Sequence, residues 1–96
     1  SYADMEARGI VMPILHVESD YLRSAYYDDE LTIRLIVSDV PKARFIVHYE
    51  VFDSKGVLLN RGMTALGFLH RETMRPCRAP QWFVDLLYAN GLESDN

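Results

Sequence analysis

From Ile10 to Leu69 the chain repeatedly alternates apolar and polar residues with period two, the spacing of strands that bury one face. Ile10 to Leu22 begins apolar and then alternates, with Leu15, Val17, Ser19 and Tyr21 on one side and His16, Glu18 and Asp20 on the other. Leu31 to Val37 predicts a second strand, with Leu31, Ile33, Leu35 and Val37 inward and Thr32, Arg34 and Ser38 outward. Phe45 to Phe52 repeats the pattern, setting Phe45, Val47, Tyr49 and Val51 against His48 and Glu50. Asp53-Ser54-Lys55-Gly56 has the composition of a tight turn, so Val57 to Leu69 returns as a hairpin partner. Gly62 and Gly67 inside that last strand predict a bulge or a close backbone approach.

The ends read differently. Ser1 to Arg8 consists of good helix formers and closes on Gly9, as the last turns of a helix do. Arg71 to Pro80 carries two prolines and no periodicity, and predicts a loop. Pro80 to Tyr88 predicts a short helix with proline near its first turn, Gly91 ends it, and Glu93 to Asn96 is a polar tail. No repeat or linker divides residues 1–96, so the chain is a single α+β domain of four antiparallel strands with helical pieces at either end. A sheet with an apolar face must bury it, and the C-terminal helix is too short to cover four strands. The cover is expected from a second subunit or from a long helix preceding Ser1.

The corner Tyr21-Leu-Arg-Ser-Ala-Tyr-Tyr-Asp-Asp-Glu-Leu-Thr-Ile-Arg34 sharpens this picture. It resembles the corner of the hotdog-fold acyl-CoA thioesterases of the 4-hydroxybenzoyl-CoA thioesterase type. In that family a strand ending Tyr-Leu-basic-Pro-Ala turns through an Asp and re-enters the sheet as Asp-x-Leu-x-Ile/Val. Tyr21, Leu22, Arg23, Ala25, Asp28, Asp29, Leu31 and Ile33 fit; Ser24 replaces the usual Pro, and Tyr26 stands where Arg is common. Glu6-Ala-Arg8-Gly9-Ile10-Val11-Met12-Pro13 resembles the family's Glu-Arg-Gly-Ile/Val-x-x-Pro step after its central helix. The resemblance runs from Glu6 to about Leu87 and implies an incomplete hotdog domain, with the first strand and most of the central helix outside this chain. It implies hydrolysis of an acyl-CoA thioester to free acid and coenzyme A, and pairing of subunits into a homodimer or homotetramer. The alternative is a non-catalytic hotdog module that binds acyl-CoA or serves oligomerisation. A hotdog dehydratase acting on acyl-carrier protein matches the corner less well.

Composition narrows the classes. The formal net charge of −4 argues against general nucleic-acid binding, which needs a basic face. A lone cysteine, Cys77, cannot form an internal disulfide, and the polar start shows no secretory signal, which together suggest a cytoplasmic protein. No apolar run reaches the roughly 18 residues a membrane helix needs.

Thioester hydrolysis requires a carboxylate as base or nucleophile and a donor for the oxyanion. In the resembled family both lie before and at the start of the central helix, in a Tyr-x-Asp-x-Asp-like loop followed by His-x-x-Tyr. No stretch here matches, so the implied catalytic Asp is expected upstream of Ser1, and the present chain alone is expected to be inactive. Asp28 and Asp29 read as turn formers.

What remains is ligand binding. The phosphates of coenzyme A call for Lys or Arg at the site mouth. Lys42 and Arg44 stand where related thioesterases carry a basic run contacting the nucleotide. Arg75, within Arg75-Pro76, resembles the family's Gly-Arg-Pro-x-x-x-Pro segment, in a loop that also holds Arg71 and Arg78. No metal site is expected: His16, Glu18, Asp20, His48 and His70 lack ligand spacing and suit a solvated sheet face or a subunit interface. Cys77 has no base or orienting group at a useful spacing and reads as a plain loop thiol, and no cofactor motif is present. Trp82, Phe83 and Leu86 have the spacing of a helix face packed on the sheet.

Overall fold

A computed structural model describes residues 2–92, so Ser1 and the polar tail Glu93 to Asn96 lie outside the described residues. The order of elements is α1 (Tyr2–Ala7), β1 (Ile10–Val11), β2 (Ile14–Tyr21), β3 (Thr32–Ile36), β4 (Arg44–Phe52), β5 (Leu58–Gly67), β6 (Leu69–His70) and α2 (Gln81–Ala89). The main sheet has four strands in the order β2-β5-β4-β3, and β1 pairs with β6 in a separate two-stranded ribbon. Every pairing is antiparallel.

Two strands that alternation draws as continuous are each broken in two. Pro13 has no N–H for a ladder, and it separates β1 from β2 while its carbonyl accepts from Gly67 N at 2.9 Å. On the partner strand the break falls at Phe68, between β5 and β6. The register slips between Ile14 and His16 and between Val51 and Phe52. The first slip, at Leu15, faces the strand beside Gly67, whereas no slip falls at Gly62; both glycines also mark close approaches. A Cβ on Gly67 would lie 3.1 Å from the Leu15 side chain, and one on Gly62 would lie 2.6 Å from the Tyr49 hydroxyl.

The turns follow their composition. Asp53 Oδ1 accepts from Lys55 N and Val57 N at 2.9 and 2.8 Å, while Gly56 takes φ +81°. In the corner between β2 and β3, Asp28 adopts φ +67°, a conformation that Asp tolerates better than most residues. The Asp29 carboxylate accepts from Ser54 Oγ at 3.1 Å, tying this corner to the β4–β5 turn. Both aspartates are thus occupied with chain geometry. Pro80, extended at φ −67° and ψ 149°, starts α2, and Gly91 at φ +103° follows its end.

Register defines the two faces of the main sheet. One carries Val17–Thr64–Val47, Ser19–Gly62–Tyr49–Leu35 and Tyr21–Asn60–Val51–Ile33 in rows. The other carries Glu18–Met63–His48–Ile36 and Asp20–Arg61–Glu50–Arg34. The alternation assigned these faces correctly, but the side expected to be inward is largely open. Val17, Ile33 and Leu35 are 55%, 64% and 68% exposed. The reason is the position of the helices. The buried cluster of Met5, Ile10 and Phe68, with Met12, Phe45, Cys77, Trp82 and Phe83 packed against it, gathers α1, the β1–β6 ribbon and α2 at the Phe45 end of the sheet. The radius of gyration of 15.8 Å exceeds the about 12.5 Å of a compact domain this long.

Candidate functional site

The basic candidates sit where the loop between β3 and β4 meets the segment leading to α2. Lys42 and Arg44 are exposed, Arg44 opening β4 opposite Gly67. The Lys42 carbonyl accepts from Ala79 N at 2.6 Å, which brings the Lys42 backbone beside the segment of Arg78. Phe68 O accepts from Cys77 N at 2.9 Å, and Leu69 bridges to Pro76, anchoring the rest of that segment along β6. Arg75 lies on the far side of these anchors. Its carbonyl accepts from His70 N at 3.0 Å, and Met74 beside it takes φ +56°. The fold therefore groups Lys42 and Arg44 with the Arg78 segment, while Arg75 belongs to the turn after β6. Resemblance to the family's Gly-Arg-Pro-x-x-x-Pro segment pointed to Arg75 through Arg75-Pro76. The signal for Arg78 was its place beside Ala79, legible only once the two loops were paired.

Arg71 is committed elsewhere: its Nη1 donates to Glu6 O at 3.0 Å, holding the C-terminal end of α1 against β6. Arg8 lies over the Trp82 ring, 4.4 Å from its centroid, a cation–π contact joining the two helices. Beneath it a hollow of about 480 Å³ is lined by Met5, Met12, Phe45, Leu66, Trp82, Phe83 and Leu86, with Asp4 and Arg8 at its rim. Phe83 stacks edge-on to Phe45, Phe68 and Trp82 at 5.1, 5.7 and 6.1 Å, so α2 is held by ring packing, as its spacing suggested.

The open apolar face holds one polar cluster. Tyr49 on β4 crosses Gly62 on β5 and donates its hydroxyl to Ser19 Oγ on β2 at 2.8 Å; Asn60 Nδ2 donates to the same oxygen at 3.1 Å. Alternation placed Ser19 and Tyr49 on this side but gave no sign that they meet. Tyr49→Phe, which removes one donor and keeps the ring, is expected to cost about 0.5–1.5 kcal/mol in urea denaturation followed by circular dichroism.

Other candidates fall to structural roles. His16 and Glu18 pair at 3.6 Å on the outer face, and no group of three or more metal-ligating side chains occurs among the described residues. Cys77 is partly buried against the core cluster, so it is not a plain loop thiol, and burial pushes its thiol pKa up. A raised pKa keeps the thiol protonated, whereas the thiolate is the nucleophile. No described helix is long and apolar enough to cross a membrane.

Comparison with known proteins gives this arrangement its context. The family model described as the thioesterase-like superfamily matches residues 1–87. The putative acyl-CoA thioesterase YneP of Bacillus subtilis (strain 168) is 19% identical over 84 residues, covering 88% of this chain and 61% of the relative. The solved structure of a DHNA-CoA thioesterase from Staphylococcus aureus superposes with a TM-score of 0.80 at 32% identity, over 94% of this chain and 60% of that one. The protein SAV2348 from Staphylococcus aureus, solved in complex with CoA, superposes at 0.80 with 16% identity, over 98% of this chain and 61% of that one. The chain thus spans about three fifths of the length of these relatives. Six strands in this order, the corner from Tyr21 to Arg34 and a family match reaching from residue 1 to residue 87 lead to one placement: the chain belongs to the thioesterase-like superfamily and has its hotdog-type fold.

Proposed function

We propose that the protein acts on acyl-CoA thioesters, hydrolysing them to free acid and coenzyme A, and that this chain contributes scaffold and nucleotide contacts. The match of residues 1–87 to the thioesterase-like family carries the reading. It is supported by two similar proteins whose descriptions name a CoA thioester or CoA itself. Lys42 and Arg44 are the proposed contacts to the phosphates, since exposed cations at one loop junction suit a multiply charged nucleotide. Arg78 is the natural third member because its segment is bonded to Lys42. Arg75, in the turn after β6, remains a proposed contact at the edge of the site.

We assign the catalytic base to none of the carboxylates at the turns or on the outer face of the sheet. Asp28, Asp29 and Asp53 shape turns, and Glu18, Asp20 and Glu50 lie on the outer face beside His16, Arg61 and Arg34. With no match to the family's Asp-containing loop among its residues, the 96-residue chain is expected to bind without turnover. The edges of the main sheet, β2 and β3, offer backbone for pairing between subunits, and a cytoplasmic homodimer or homotetramer fits the reading.

Titration calorimetry of the chain with coenzyme A tests the contacts. Lys42→Ala and Arg44→Ala are each expected to weaken binding by about tenfold, the worth of one charge-assisted hydrogen bond. Unchanged affinity in the double variant removes this corner from the site.

A further inference from the structure

Between α1 and α2 the packing stops short of closure. Phe45 on β4 and Leu66 on β5 stand opposite each other in register and line the hollow of about 480 Å³ from the sheet. Met5 and Met12 add flexible, polarisable wall, and α2 supplies Trp82, Phe83 and Leu86. The volume falls within the about 300–1,000 Å³ of small-molecule sites. Leu86 is 49% exposed, so apolar surface is left there without a partner. An apolar hollow also holds water poorly, since a water needs about two to four polar neighbours.

The polar groups stand at the rim. Arg8 N donates to Asp4 O at 3.2 Å, closing a helical turn, so the two side chains leave the helix on successive turns of one face. The Arg8 guanidinium is placed by its contact with the Trp82 ring, 4.4 Å from the centroid. A stacked guanidinium still presents N–H donors at its edge, and a carboxylate accepts more than one hydrogen bond. The mouth therefore offers a donor and an acceptor side by side, with no net charge.

We propose that this hollow binds an uncharged molecule with an apolar body and a terminal hydroxyl. The body covers the apolar lining, while the hydroxyl accepts from Arg8 and donates to Asp4. A hydroxyl can do both at once. A carboxylate would meet Arg8 but be opposed by Asp4, and an ammonium would meet the reverse. Each ion would also lose hydration at a mouth whose charges cancel. The lining of rings and methionines accepts bodies of differing shape, so the head group decides the class. The proposal does not rest on the enzymatic reading, and it uses neither Lys42 nor Arg44.

Trp82 is the chain's only tryptophan and lines the hollow, so its fluorescence reports occupancy. The test titrates 1-octanol, octanoate and octylammonium at neutral pH, three probes of equal length that differ in the head group. Octanol is expected to bind about tenfold tighter than either ion, the worth of about one hydrogen bond. Two rim variants should then redirect the preference. Asp4→Asn leaves Arg8 as the charge at the mouth and is expected to make octanoate the tightest of the three. Arg8→Gln leaves Asp4 and is expected to do the same for octylammonium. Circular dichroism verifies folding, and since each variant carries its own expected order, either one that folds suffices. The product of the complete reading frame is expected to rank the probes as the 96-residue chain does. No binding of octanol, a tighter ion in the parent, or a folded variant that keeps the parent's order would each overturn the proposal. So would a complete product that excludes octanol, because its further residues would then fill the hollow.

Discussion

Phe68→Ala is expected to lower the unfolding free energy by about 3–5 kcal/mol, the usual cost of deleting a buried aromatic ring. Phe68 is 2% exposed and is the largest fully buried side chain among the described residues. It stands at the break between β5 and β6, touches the Met5 and Ile10 cluster, and lies 5.7 Å from the Phe83 ring. One side chain therefore connects the ribbon and both helices. The surroundings cannot close over the gap, because the β5–β6 break is pinned by Pro13 O to Gly67 N and Phe68 O to Cys77 N, each 2.9 Å. A domain of this size has a total stability of about 5–15 kcal/mol, so the loss is a large share of it. Urea denaturation of the parent and the variant gives the number. Leu86→Ala, on α2 outside that cluster and 49% exposed, is the control and should cost much less. A shift below about 1 kcal/mol for Phe68→Ala would mean that the core lies elsewhere.

Gly62→Ala comes second and acts on a different surface. The added Cβ would meet the Glu18 carbonyl of the neighbouring strand and lie 2.6 and 2.7 Å from the Tyr49 hydroxyl and its ring carbon. The Tyr49 ring can move, but the carbonyl belongs to the β2 backbone, and moving it opens the β2–β5 ladder. Destabilisation at the upper end of about 1–3 kcal/mol is expected, with loss of the Tyr49–Ser19 bond. Amide exchange should show weakened protection along β2 first. Tyr49→Phe combined with Gly62→Ala should cost little more than Gly62→Ala alone, since both break the same contact. Fully additive costs would contradict the geometry.

These two sites show what the sequence made legible and what it did not. Period-two alternation assigned Val17, Ile33, Leu35, Val47, Tyr49 and Val51 to a common face, and the register agrees row by row. Turn chemistry at Asp53 to Gly56 was equally plain, because a carboxylate accepting two backbone N–H groups and a glycine at positive φ are local requirements. The breaks at Pro13 and Phe68 were less visible. A period-two pattern continues across a kink, and only the pairing of β1 with β6 shows that the strands part company. Gly62 and Gly67 were singled out as bulge or close approach; contact with Tyr49 selects the second for Gly62, while Gly67 lies both against the Leu15 side chain and beside the register slip at Leu15. At the site, charge type together with the family resemblance pointed to Lys42, Arg44 and Arg75, but which loops meet is decided by one hydrogen bond, Ala79 N to Lys42 O, between residues far apart in sequence. Family resemblance at the Tyr21 to Arg34 corner identified scaffold and not chemistry. That corner holds Asp28, at positive φ, and Asp29, whose carboxylate accepts from Ser54.

The central claim is that this chain belongs to a protein that hydrolyses acyl-CoA thioesters. Its most direct test is thiol release from a panel of acyl-CoA substrates by the purified product of the complete reading frame. The account predicts turnover at a kcat/KM of about 10⁴ M⁻¹s⁻¹ or above for at least one acyl group, with KM raised by Lys42→Ala and Arg44→Ala and kcat little changed. Coenzyme A binding without hydrolysis of any acyl group would contradict it, and would point to a binding module on the same fold.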